Sequence, residues 1–148
     1  MSFILDAFVT LLWLAPDTNS AGEAIADATL KALKVSQALV PSLWSLEVGN
    51  VIAKLEAKNI VTEADSQRFI ALLGQLDIVT DAMTASRALG DTLNLARRYK
   101  LSVYDAAYLE LALRTGRPMA TLDADLTEAA NLAGIPIFGQ TAKPIQAI

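Results

Sequence analysis

Residues 102–123, SVYDAAYLELALRTGRPMATLD, decide how the chain is read. The spacing predicts a helix that opens at Ser102 and ends near Gly116, followed by a short strand over 118–122. An acid stands at each end, Asp105 in the first helical turn and Asp123 just beyond the strand. Both have an ordinary structural use. Ser102-x-x-Asp105 fits a capping box, in which the acid satisfies a free backbone N–H. Asp123 suits the N-cap of a helix beginning at Ala124. What separates capping from chemistry is whether further acids converge on the same place.

Working outward, residues 2–6 (SFILD) form an apolar strand that ends in Asp6. A helix over 7–15 follows, apolar almost all round, which predicts burial on two sides or an interface. After the break at Pro16, an amphipathic helix over 20–34 turns Ile25, Leu30 and Leu33 inward and Glu23, Asp27, Lys31 and Lys34 outward. A second strand over 37–40 precedes Pro41, and Ser42 is placed to cap a helix over 43–58. A helix over 62–73 opens on Thr62-x-x-Asp65. A third strand spans 76–80, and a long helix over 82–99 carries Leu89, Leu93 and Ala96 on its inner face. The stretch 102–123 supplies the next helix (103–115) and the fourth strand. A helix over 124–133 stops at Gly134, and residues 135–138 form a last edge strand. Strands alternating with helices imply parallel pairing and right-handed crossovers. The expected architecture is one three-layer α/β/α domain over 1–148, built on a central, mostly parallel sheet of four to five strands.

Composition narrows the chemistry. A chain of 148 residues can bury a sizeable core. It is 53% hydrophobic, and the surplus apolar surface points to a partner. No apolar run reaches the roughly 18 residues that a bilayer span needs. The first residues lack a basic segment and contain Asp6, unlike a signal peptide, so a cytoplasmic location is expected. There is no cysteine and no histidine, which excludes disulfides, thiol catalysis, Ser-His-Asp triads and His- or Cys-ligated zinc. Acid–base or metal chemistry must use carboxylates, lysines or tyrosines.

In an open parallel sheet, ligands bind beyond the carboxyl ends of the strands. Asp6 ends the first strand and Asp123 follows the fourth. Asp105 opens a helix running back to that edge, and Glu47 lies early in the helix after the second strand. Capping itself thus gathers the acids, and like charges so gathered raise one another's pKa or require a cation. Glu47, Asn50, Lys54 and Lys58 form one polar stripe on the 43–58 helix. Oxygen donors alone select Mg²⁺ or Mn²⁺. Two such ions, about 3.5–4 Å apart, activate water and stabilise the leaving oxygen of a phosphodiester. The net charge of −4 does not oppose an anionic substrate: setting four site carboxylates aside leaves twelve acids against twelve bases. Arg87, Arg97, Arg98, Arg114 and Arg117 are available to hold a phosphate backbone.

Asp6, Glu47-x-x-Asn50, Tyr104-Asp-Ala-Ala-Tyr108 and Thr121-Leu-Asp123, in that order along the chain, resemble the PIN domain, and most of all the VapC-type toxins of toxin–antitoxin pairs. The resemblance implies a metal-dependent endoribonuclease acting on RNA, with tRNA a common target class. It also implies a homodimer held in check by a small antitoxin. Carried over by position, Asp6, Glu47, Asp105 and Asp123 are the catalytic and metal-holding quartet, and Asn50 and Thr121 are supporting polar groups. The family pattern has a small polar residue two positions after the first acid, where this chain has Phe8. That departure implies weakened, metal-demanding activity, or, as the alternative, a catalytically impaired interaction module. A haloacid-dehalogenase-type phosphatase matches Asp6 and Thr10 at the ends of its motif, but Phe8 takes the place of its general acid.

Overall fold

The computed structural model describes residues 2–16 and 19–139. Four short strands make one parallel sheet: β1 (Phe3–Leu5), β2 (Ala38–Val40), β3 (Ile78–Thr80) and β4 (Met119–Ala120), in the order β3-β2-β1-β4. All three residues of β1 are buried, as a strand paired on both sides and covered on both faces requires. The register pairs Ile4 with both Leu39 and Met119, and Val40 with Thr80. The residues that follow the strands therefore leave at one edge. There the Asp6 N–H donates to the Ala120 carbonyl (3.1 Å) and the Asp81 N–H to that of Val40 (2.8 Å). The last edge strand contracts to a single parallel bridge between Ile137 and Met119, anchored by the Phe138 ring stacked on Phe3 at 4.6 Å.

The helices flanking the sheet are α1 (Ala7–Leu11), α2 (Ser20–Ala32), α3 (Trp44–Ala57), α4 (Glu63–Gln75), α5 (Thr84–Arg87), α6 (Leu93–Tyr99), α7 (Val103–Thr115) and α8 (Ala124–Leu132). Helix α7 is enclosed: every residue from 106 to 112 is buried, and it packs on β1, α6 and α8. It opens and closes as its sequence predicts. The Ser102 hydroxyl accepts from the Asp105 N–H, and Gly116 ends it at φ 66°, a left-handed turn suited to glycine. None of the described helices is long and apolar enough to cross a membrane.

Four local expectations are corrected. The helix over 7–15 ends at Leu11, and residues 12–14 tighten into turns in which Leu12, Trp13 and Leu14 bond back three residues to Val9, Thr10 and Leu11. This winding lays Leu12, Trp13 and Leu14 against the core, half-buried, while Leu11 is buried. Ser42 does not cap α3. Leu43 takes that position, and the Ser42 N–H goes instead to the Thr84 hydroxyl (2.9 Å). The helix over 82–99 is broken by a kink within Ala88–Thr92, where Gly90 leaves helical geometry at φ −113°, ψ −106°. The break rotates the register, so Leu89 is 87% exposed although Ala96 is buried as expected.

Candidate active site

Asp6 is the N-cap of α1 and only 4% exposed. Its Oδ1 accepts the Phe8 N–H (3.3 Å), and its Oδ2 accepts the Thr121 hydroxyl (2.7 Å). Thr121 follows β4, and its Oγ1 in turn accepts the Asp123 N–H (3.1 Å). Asp123 caps α8 by accepting from the Leu126 N–H through Oδ1 (2.8 Å). A relay of two hydrogen bonds thus fixes the ends of β1 and β4 relative to each other. Its central hydroxyl, Thr121, is the supporting group expected from the sequence.

Burial pushes the Asp6 carboxyl up to about 6, with the charges of Glu47 and Asp105 adding to the rise and the Thr121 and Phe8 bonds opposing it. Glu47, half-buried on α3, is also raised, by burial first and then by Asp105, against a hydrogen bond from Tyr108. Asp105 is raised by burial and by Asp123, against the Ser102 hydroxyl. The charges of Glu47 and Asp105 thus act on Asp6, that of Asp105 on Glu47, and that of Asp123 on Asp105.

Asp65 is the informative contrast. It stands in the same [S/T]-x-x-D pattern at the start of α4, but there the capping box is closed: Asp65 Oδ2 accepts the Thr62 N–H (2.9 Å), and its pKa is lowered. Asp105 receives a cap bond on its backbone N–H, and its carboxyl is pushed up by burial and by the charge of Asp123. Identical sequence signals close a capping box around a lowered acid in one helix and leave a raised acid in the other.

Tyr108, one turn beyond Asp105, closes the segment 104–108 that carries the resemblance, which assigns it no role. It is 1% exposed, and its hydroxyl donates to Glu47 Oε1 at 2.6 Å. Burial first, then the Glu47 bond, drives its pKa far up, so it remains a proton donor that orients Glu47. The i, i+3 spacing from Asp105 is the signal that could have found it. Asn50 is exposed one turn beyond Glu47 and makes no hydrogen bond to the four acids among the described residues. Phe8 is 62% exposed, its ring turned out of the core.

Two of the five arginines set aside for a phosphate backbone are already engaged in ion pairs. Arg114 grips Asp81 (Nη2–Oδ2, 2.5 Å) and the buried Glu110 (Nε–Oε1, 2.8 Å). Arg87 pairs with Asp91 (2.9 Å) and lies 3.5 Å from Glu110, within ion-pair reach, its Nε having no hydrogen-bond partner.

Carboxylate oxygens are the donors that hard divalent cations take, and a cation relieves the repulsion that burial imposes on Asp6, Glu47 and Asp105. Among the described residues no three carboxylates lie close enough to enclose an ion unaided. The donor chemistry, carboxylate oxygens alone, fits a hard divalent metal.

A parallel sheet with acids of four elements at its carboxyl edge, in a chain without histidine or cysteine, defines a carboxylate-only site. The family model for the PIN domain matches residues 3–132, and the chain belongs to that family. It is 26% identical over 129 residues to Ribonuclease VapC3 of Pyrobaculum aerophilum, covering 86% of this chain and 94% of that protein. In fold it is similar to PAE2754 from Pyrobaculum aerophilum (TM-score 0.58, 22% identity, 90% of this chain and 99% of that one). It is also similar to VapBC2 from Rickettsia felis, solved bound to a DNA fragment from their promoter (TM-score 0.63, 13% identity, 93% and 97%). FitAcB from Neisseria gonorrhoeae is a third such structure (TM-score 0.59, 20% identity, 93% and 96%). The family match and the ribonuclease relative support a VapC-type nuclease.

Proposed function

We propose that the chain is a Mg²⁺- or Mn²⁺-dependent endoribonuclease that hydrolyses RNA phosphodiester bonds, acting in the cytoplasm as the toxin of a toxin–antitoxin pair. The observation that carries this reading is the linkage of Asp6, Glu47, Asp105 and Asp123 through one another's charges at the carboxyl edge of the sheet. A bound divalent ion supplies Lewis-acid stabilisation of the phosphate and a more acidic water. The chain's own residues prepare for it. Thr121 and the Phe8 N–H hold both oxygens of Asp6, and Tyr108 holds one oxygen of Glu47, leaving Oε2 to the site. Asp105 and Asp123, at two helix N-termini, complete the donor set.

The ribonuclease relative supports RNA as substrate, and the likeness to VapBC2 supports a small antitoxin as partner; tRNA as the target class and a homodimer as the working state belong to the proposal itself. The impaired-module alternative rested on the missing hydroxyl at Phe8. Thr121 makes a hydroxyl contact to Asp6, which favours a competent site.

The test is cleavage of a mixed RNA substrate. The wild type is expected to cut in Mn²⁺ and to stop on adding a chelator, and Asp105→Asn is expected to lose about 100-fold or more in rate, the scale of removing one group that stabilises transition-state charge. Cleavage that survives both treatments sinks the reading.

A further inference from the structure

Each of the four acids has a large apolar side chain left in solvent within two residues of it in the chain. Phe8 (62% exposed) follows Asp6 by two residues, and Tyr104 (68%) immediately precedes Asp105. Leu46 (79%) and Leu122 (44%) immediately precede Glu47 and Asp123 in the same way. Exposed apolar side chains scattered singly need no explanation, but one beside every acid of a site does. A second feature begins at the same place. From Glu47, the stripe Asn50, Lys54, Lys58 runs along the solvent side of α3 for about 16 Å at the rise of an α-helix. All three residues are exposed, and neither lysine enters an ion pair among the described residues.

Exposed aromatic rings next in sequence to the acids, and a row of unspent cations leading away from one of those acids, match the two halves of an unpaired nucleic acid strand: bases stack on aromatics while the phosphates follow positive charge. A duplex offers neither, because its base faces are already stacked on one another. An apolar peptide fits the rim poorly, since laid over Tyr104 it would desolvate the half-buried Asp105 without offering its carboxylate a partner, and it would leave Lys54 and Lys58 unused.

Resting on the ribonuclease reading, we propose that Phe8 and Tyr104 are stacking platforms for unpaired bases on either side of the scissile phosphate, with Lys54 and Lys58 carrying the strand away from Glu47. Phe8 is then a substrate-holding residue and not an obstruction to the metal.

The experiment is fluorescence anisotropy with labelled oligoadenylate, free or annealed to oligouridylate, on the full chain carrying Asp105→Asn so that the RNA stays intact. Free oligoadenylate is expected to bind more tightly than the duplex. Phe8→Ala and Tyr104→Ala are each expected to weaken it about tenfold, on the scale of losing one base–aromatic stack, whereas Phe8→Tyr keeps the affinity. Lys54→Gln and Lys58→Gln are each expected to lower the slope of log affinity against log salt by about 0.7. Both rings are exposed, so melting temperatures should hold and exclude misfolding as the cause.

Equal affinity for duplex, or unchanged or tighter binding on losing the rings, overturns the proposal. So does release of a co-expressed antitoxin by the ring variants at unchanged RNA affinity, which would make the rim a protein interface. A wild type that cleaves RNA while its ring variants bind normally defeats this proposal and leaves the ribonuclease reading standing. A wild type that cuts no RNA in Mn²⁺ defeats that reading instead.

Discussion

In a chelating buffer at neutral pH, Asp6→Asn should make the protein more stable by about 1–3 kcal/mol while abolishing RNA cleavage. Asp6 is a nearly inaccessible carboxylate whose pKa is pushed from 3.8 to about 6, first by burial and then by Glu47 and Asp105. The folded state therefore holds the proton more tightly than the unfolded chain does. The stabilising contribution of the protonated form is complete below about pH 4 and is lost as pH rises through about 6. At pH 7 the shift of roughly two units corresponds to about 3 kcal/mol of destabilisation. Asparagine has the same shape, cannot ionise, and keeps an oxygen for the Phe8 N–H. Its amide faces Thr121 Oγ1, already an acceptor for the Asp123 N–H, and that crowding sets the lower end of the range. Urea unfolding at several pH values measures both parts. Wild type should be more stable at pH 5 than at pH 7.5, as the raised pKa values of Glu47 and Asp105 also require, and the variant should show a shallower dependence. A wild type that gains stability from pH 5 to 7.5 would show that these acids are not mutually strained.

The second large effect lies away from the acids. Arg114→Met should destabilise the protein by about 2–4 kcal/mol, because it strands Glu110, 5% exposed, and Asp81 without their shared cation. The figure is set a little below that for a fully buried pair because the Arg114 side chain is 20% exposed. Arg114 ties the residue after β3 to α7, the helix that carries Asp105 and Tyr108, so the loss should reach the site as well as the fold. Adding Glu110→Leu to Arg114→Met should recover part of the stability, since no carboxylate is then left in the core at that position. If the double variant is less stable than Arg114→Met alone, Glu110 contributes through packing that the ion-pair account omits.

These two residues mark what the sequence could and could not disclose. Asp6 and Asp81 both follow strands and reach the same sheet edge, and nothing local distinguishes them. Only the fold brings Arg114 onto Asp81, which makes that acid structural, while Asp6 meets a hydroxyl and other acids. Likewise Thr62-x-x-Asp65 and Ser102-x-x-Asp105 read alike but close differently. Helix α7 and its caps were legible because the apolar run, Ser102 and Gly116 agreed with one another. The helix over 82–99 was not, because one glycine at position 90 interrupts a strong period and turns Leu89 to solvent. The role of Tyr108 escaped notice because a buried tyrosine in an apolar helix looks like core until its hydroxyl is seen on Glu47.

The central claim, that the four acids form one metal-holding centre, is tested most directly by calorimetric titration of Mn²⁺ into the wild type and into the Asp6→Asn/Asp105→Asn double variant. The wild type should bind the ion and gain melting temperature with metal concentration, because a ligand selective for the native state stabilises it by mass action. The double variant, folded and with two of the four carboxylates neutral, should neither bind nor shift. Equal Mn²⁺ affinity in the two proteins would contradict the assignment and place any metal elsewhere on the chain.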